Sequence, residues 1–170
     1  MPPARQNLPI PQLPIDSPER KRLPPLLRRA WYSLNQAFRR RAAHLEITPD
    51  QFTVMRTLLE NDGISQRELT HFMSSDPNTV ASLLERMQMA GLLARKSHEK
   101  DRRTNRLHLQ PVGKRKYEEA REIAVRLQKE VLAVLPETHR QTFLEDLALV
   151  AEACLAAAQN SPRKKDTIGS

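Results

Sequence analysis

The chain has 170 residues, with 28 Lys and Arg against 20 Asp and Glu, a formal net charge of +8 and a pI near 10.1. That length holds one domain, or one domain with tails, and a basic balance favours polyanionic partners, nucleic acid before anionic membrane surface. The single cysteine excludes an internal disulfide and suits a reducing compartment. No apolar run approaches the roughly 18 residues of a spanning helix, and no secretory h-region opens the chain, so the expected setting is cytoplasmic, with no membrane partner.

Residues 1–25 carry Pro2, Pro3, Pro9, Pro11, Pro14, Pro18, Pro24 and Pro25. Proline fixes φ and removes a donor, so this reads as an extended or disordered arm. A polar tail over 160–170 reads as disordered too. The domain between them is expected over 26–159. Its first helix, about 24–46, aligns Leu27, Trp31, Leu34, Phe38, Ala42 and Leu45 on one stripe. A second, 48–61, starts with a capping box of Thr48 and Gln51 ahead of Pro49 and stripes Phe52, Met55, Leu58 and Leu59.

A third helix, 65–73, starts with a second capping box, Ser65 with Glu68. The fourth, 76–90, is capped by the Asp76 carboxylate, has Pro77 at its first position and buries Val80, Leu83, Leu84 and Met87. Gly91 ends it. Two apolar-alternating strands, 92–97 and 105–109, flank a tip rich in cations. A fifth helix, 111–135, spaces Tyr117, Ala120, Ala124, Leu127 and Val131 by alternating threes and fours, a coiled-coil seam. Pro136 breaks it, and a sixth helix, 137–159, stripes Phe143, Leu147, Val150, Ala151, Cys154 and Ala158. The fold class is mainly α: a winged helix-turn-helix over 48–110 with a two-stranded β-wing, and long terminal helices over 26–46 and 111–159.

Two short helices, a glycine turn and a basic hairpin point to double-stranded DNA. A helix fits the major groove, and its first turn meets base edges. That turn offers Pro77, Asn78, Thr79 and then Ser82. Asn can pair with adenine, and Thr can reach several bases or a thymine methyl. Read singly they are ordinary exposed helix-start residues; the neighbouring helix and hairpin favour DNA contact. The start of the third helix, Ser65 and Gln66, and Arg86 further along the fourth, join the candidate set. Residues 95–106 hold Arg95, Lys96, Lys100, Arg102, Arg103 and Arg106 against Glu99 and Asp101. A charge run is ordinarily a solvated face. At a hairpin tip it can project, and a narrow A·T-rich minor groove attracts inserted arginine. Arg95, Lys100, Arg102 and Arg103 are therefore candidate contacts, with Asp101 orienting an arginine through a charge-assisted hydrogen bond.

Asp101-Arg102-Arg103 followed by Leu109 resembles the Asp-x-Arg, five residues, Leu-Thr signature of the MarR family of winged-helix repressors. Thr79-Val80, Leu83-Leu84, Arg86 and Gly91-Leu92-Leu93 are similar to that family's recognition helix and its exit. The likeness covers roughly residues 26–159 and departs twice. The signature's threonine is Gln110 here, leaving Pro111 to start the fifth helix, and Asp76-Pro77 alters what the recognition helix offers to bases. The resemblance implies a homodimer on a pseudo-palindromic operator, with the terminal helices dimerising, Arg103 in the minor groove and Arg102 nearer phosphate. It implies a repressor relieved by a small-molecule effector, an aromatic or phenolic compound, lodged near Trp31, Phe38, His44, Phe52 and Met55; the alternative for each is a plain core residue.

Other chemistries find little support. The five histidines are scattered without ligand spacing, so neither a metal site nor a cofactor is expected. No nucleophile–base constellation or Gly-rich phosphate loop indicates an enzyme. Cys154, on the apolar face of the sixth helix, reads as a buried structural thiol before a redox sensor. The competing function is a protein-binding winged-helix adaptor without DNA readout, which would have no need of Arg102 and Arg103 projecting together.

Overall fold

The computed structural model describes residues 22–97 and 105–161. Six helices and one hairpin follow in order: α1 (Leu23–Arg41), a 3-10 turn (Ala43–Leu45), α2 (Pro49–Glu60), α3 (Gln66–Phe72), α4 (Pro77–Met89), β1 (Leu93–Ser97), β2 (Asn105–Leu109), α5 (Pro111–Leu132) and α6 (Glu137–Asn160). Each helix predicted from capping chemistry is present. The first prediction ran too long, because α1 stops at Arg41 and the chain then makes a 3-10 turn closed by Glu46 in a left-handed conformation (φ 53°).

Local chemistry accounts for the boundaries. Thr48 Oγ1 accepts from Gln51 N–H at 3.2 Å while the Gln51 amide oxygen accepts from Thr48 N–H at 2.8 Å. Ser65 and Glu68 repeat that reciprocal box at α3. At α4 one carboxylate oxygen of Asp76 accepts from the N–H groups of Asn78 (3.1 Å) and Thr79 (2.9 Å). Gly91 (φ 68°) closes α4: its N–H reaches Gln88 O and Leu92 N–H reaches Met87 O, the paired bonds of a Schellman stop. The end of α3 makes the same pair, from Ser74 to His71 and from Ser75 to Thr70, with Ser74 at φ 48° where glycine is usual. At α5 the Gln110 carbonyl accepts from Lys114 N–H, and Pro111 occupies the first helical position.

The chain forms two compact units, Met1–Ile123 and Ala124–Ser170, and the boundary falls inside the continuous helix α5. In the first unit the core is built from Phe38, Leu45, Ile47, Val54, Met55, Leu58, Leu69, Val80, Leu84, Met87, Leu93 and Leu107, with Tyr117 and Ala120 of α5 also buried. In the second unit Leu127 is buried, whereas α6 buries no residue along its 24 positions. Val134, Phe143, Leu147 and Leu149 are exposed there. Cys154, expected buried, is exposed as well, on a helix that buries none of its residues, because apolar spacing marks a stripe without supplying what would cover it.

The strands pair antiparallel with Leu93 opposite Leu109, Arg95 opposite Leu107 and Lys96 opposite Arg106. Leu93, Leu107 and Leu109 are buried, so alternation puts Arg95 on the core-facing side and Lys96, Arg106 and His108 on the other. Among the described residues no helix is long and apolar enough to cross a membrane.

Candidate nucleic-acid interface

Helix α4 divides cleanly by face. Val80, Leu83, Leu84 and Met87 are buried, while Pro77, Asn78, Thr79, Ser82, Glu85 and Arg86 are exposed. The exposed set recurs at three- and four-residue spacing, which is one side of a helix. This side has short polar groups at its start and a cation one turn further on, whose Nε donates to Ser82 O at 3.3 Å.

The start of α4 is held in place by Asp76. The Thr79 hydroxyl, then the Thr79 and Asn78 N–H groups, hold the Asp76 carboxyl below its ordinary value. Thr79 therefore divides its hydroxyl between this cap and any outside partner, whereas the Asn78 amide extends from an exposed first turn. Ser65 is more constrained. Its hydroxyl accepts from Glu68 N–H (3.2 Å) and donates to Glu68 Oε2 (2.7 Å), leaving it committed to the α3 cap. Gln66 is half-buried at the first position of α3.

Of the basic hairpin, Lys100, Asp101, Arg102 and Arg103 lie outside the described residues, as does the Asp101 orienting role. Arg95 is half-buried on the core side of the sheet; Lys96, exposed on the opposite side, is better turned toward solvent. Arg106 is tied down: its Nη1 donates to Gly63 O at 3.3 Å and to Glu68 Oε2 at 3.4 Å. Two further residues escaped the sequence reading. His108 Nδ1 lies 3.1 Å from both carboxylate oxygens of Asp62, 46 residues away. Long-range pairs of this kind leave no local signal.

The candidate effector residues divide in the same way. The Phe38 and Phe52 rings lie 5.2 Å apart, tilted by 39°, and Phe52 stacks on Tyr117 at 5.3 Å and 14°. Tyr117 is thus an unanticipated third ring in that row. Met55 is fully buried beside them in α2, and His44 is exposed. Trp31 stands two helical turns, about 10 Å, along α1 from Phe38 and is 65% exposed. Lys116 donates to Leu45 O at 2.7 Å, fastening α5 to the 3-10 turn.

A helix pair with an exposed second helix and an attached hairpin defines a winged-helix fold. The model of the MarR family matches residues 47–104, from the start of α2 into the wing. The transcriptional regulator HosA of Escherichia coli is 27% identical over 125 residues, 71% of this chain and 93% of that one. A structure of the transcriptional repressor CouR bound to a 23-mer DNA duplex is 27% identical with a TM-score of 0.69, covering 74% of this chain and 89% of that chain; CouR has also been solved bound to p-coumaroyl-CoA. The crystal structure of MarR matches with a TM-score of 0.74 at 22% identity over 85% of this chain and 99% of that one, a likeness of fold. With the HTH-type transcriptional regulator BilQ of Clostridium symbiosum 32% identical over 96 residues, 55% of this chain and 67% of that one, the chain belongs to the MarR family of transcriptional regulators.

Proposed function

We propose that this regulator acts as a homodimer on a pseudo-palindromic operator and represses transcription until a small aromatic effector binds. Domain 26–159 does the work: the 48–110 lobe reads DNA, and helices within 26–46 and 111–159 hold two chains together. Asn78 and Ser82 meet base edges, Thr79 and Arg86 support them, and Arg103 enters the minor groove with Arg102 and Lys100 on phosphate and Asp101 steering. Gln66 approaches the backbone from α3. The observation that carries this reading is the two-faced helix α4, buried on one side and uncommitted at Asn78 on the other.

Dimerisation is supported by apolar surface that the single chain leaves open. Leu23, Leu26, Trp31, Tyr32 and Leu34 of α1, and Val134, Phe143, Leu147 and Leu149 in the second unit, are exposed. Exposed apolar side chains in such number, on α1 and separately on the second unit, are ordinarily covered by a partner. Effector relief is supported by the Phe38–Phe52–Tyr117 row and by the ligand-bound form of CouR. The reading remains one for the cytoplasm, where the target DNA is.

Salt dependence of operator binding is the test. Two wings and two recognition helices neutralising roughly 6–10 phosphates imply a loss of about 10³–10⁵ in affinity between 50 and 200 mM salt. A flat log–log plot would favour the protein-binding adaptor instead.

A further inference from the structure

Strand β2 is fastened along its outer edge to the segment joining α2 and α3. Gly63 N–H donates to Leu107 O and Leu107 N–H donates to Ile64 O, both at 3.0 Å, and Ser65 bridges to Arg106. Two side-chain clasps flank this backbone seam, both from the side of β2 that faces away from the core. His108 meets Asp62. Arg106 meets Gly63 O and Glu68.

The Glu68 clasp is the more consequential because its carboxylate is not free to follow the arginine. Ser65 N–H and Ser65 Oγ both donate to the same oxygen at 2.7 Å, so the acid is fixed to the first turn of α3. Arg106 therefore references the wing to the helix-turn-helix. Arg103 precedes Arg106 by three residues, at most about 11 Å of chain.

We propose that Arg106 and Glu68 are positioning residues for DNA readout: their pair sets the angle at which the wing leaves the lobe, and so whether its arginines reach the minor groove when α4 is seated in the major groove. Neither side chain needs to touch DNA. The inference rests on the wing reading proposed above.

Chemistry separates the clasp from the cap. Glu68→Gln keeps an amide oxygen for the capping box, which accepts Gln at that position, but removes the charge that holds Arg106. Arg106→Met removes the other partner while keeping a long side chain. The experiment measures affinity of the full chain for one selected operator flanked by A·T-rich or G·C-rich steps at fixed salt, with thermal unfolding as a folding control.

Each variant should lose about three- to fivefold per half-site on A·T-rich flanks, the scale of a partly exposed ion pair. Losses on G·C-rich flanks should stay below about twofold, since the wide groove attracts arginine less. The double variant should lose no more than either single one, because both remove one interaction. Equal losses on the two flanks, additive losses, or a loss for Arg106→Met alone would overturn the proposal, the last by showing that Arg106 contacts DNA itself. Arg103→Ala separates the two levels. A flank-dependent loss there with unaffected clasp variants defeats the clasp only, whereas a flat profile for Arg103→Ala defeats the wing reading and the clasp with it.

Discussion

Helices α4 and α6 each carry an apolar stripe in sequence, and they end in opposite conditions. In α4, Val80, Leu83, Leu84 and Met87 are all buried; in α6, nearly twice as long, no residue is. Apolar spacing states which side of a helix wants cover, not whether the same chain supplies it. In α4 the cover is present, so the opposite side is free for recognition. In α6 no described residue is buried, and a second chain is the proposed cover.

The sharpest way to break this contrast is to truncate both helices. Leu84→Ala should cost about 2–5 kcal/mol of stability, because a fully buried leucine leaves a cavity. Leu149→Ala, at a side chain 70% exposed, should change unfolding of the isolated chain by less than about 0.5 kcal/mol. Denaturant titration at low protein concentration checks both.

Next in size is Gly113→Ala at the root of α5. A Cβ there would collide with the Leu92 carbonyl oxygen and lie 2.7 Å from Leu109 Cδ1. Backbone cannot yield as a flexible side chain can, so the loss should be about 1–3 kcal/mol, measured by chemical denaturation. A smaller cost would mean that α5 sits loosely on the wing root.

Phe143→Asp, on the apolar stripe of α6 at a side chain that is exposed, should act only through association. A dimer gains about 1.4 kcal/mol for each tenfold rise in protein concentration, so the wild-type melting temperature should climb with concentration and the variant's should not. Parallel behaviour of the two would show that Phe143 of α6 is not at the interface.

Acid should weaken both helix starts in the reading lobe. Hydrogen bonds from the Ser65 backbone, then its hydroxyl, hold Glu68 below its ordinary value of 4.5, and the Thr79 hydroxyl and backbone hold Asp76 below 3.8. A carboxyl lowered by folding adds stability above its unfolded value and loses it as pH falls through the folded one. Stability should therefore decline as pH drops below about 4.5, and Glu68→Gln and Asp76→Asn should flatten that decline in acid titrations followed by circular dichroism. The smallest effect is expected at Ser74, whose φ of 48° suits glycine. Ser74→Gly should raise stability by at most about 1 kcal/mol, the relieved strain being offset by the extra freedom of glycine when unfolded.

Most of the fold was legible because its punctuation is local. Two capping boxes, the Asp76 cap and Gly91 each act within a few residues, and each corresponds to an observed boundary. Ser74 escaped because its left-handed turn is made without glycine. Trp31 and Leu34 share an apolar stripe with buried Phe38, yet both are exposed, since spacing carries no information about a partner. Val54, fully buried, was left off the α2 stripe, which is broader than one seam.

The candidate site was legible to a different degree. The exposed first turn of α4 followed from its period. Arg95 belongs to a run of cations in sequence, yet strand alternation and its pairing with Leu107 place it on the side of Leu93. The Arg106–Glu68 and His108–Asp62 pairs span 38 and 46 residues, and only the folded chain brings them together.

Base readout is proposed to lie on the exposed side of α4. Selection of bound duplexes from a random pool, by the wild-type chain and by Asn78→Ala, tests it most directly. The wild type should recover a pseudo-palindrome with half-sites about 34–36 Å apart. Asn78→Ala should bind about 1–3 kcal/mol more weakly and lose preference at one base step per half-site. Recovery of the same consensus with undiminished preference by both proteins would contradict the claim.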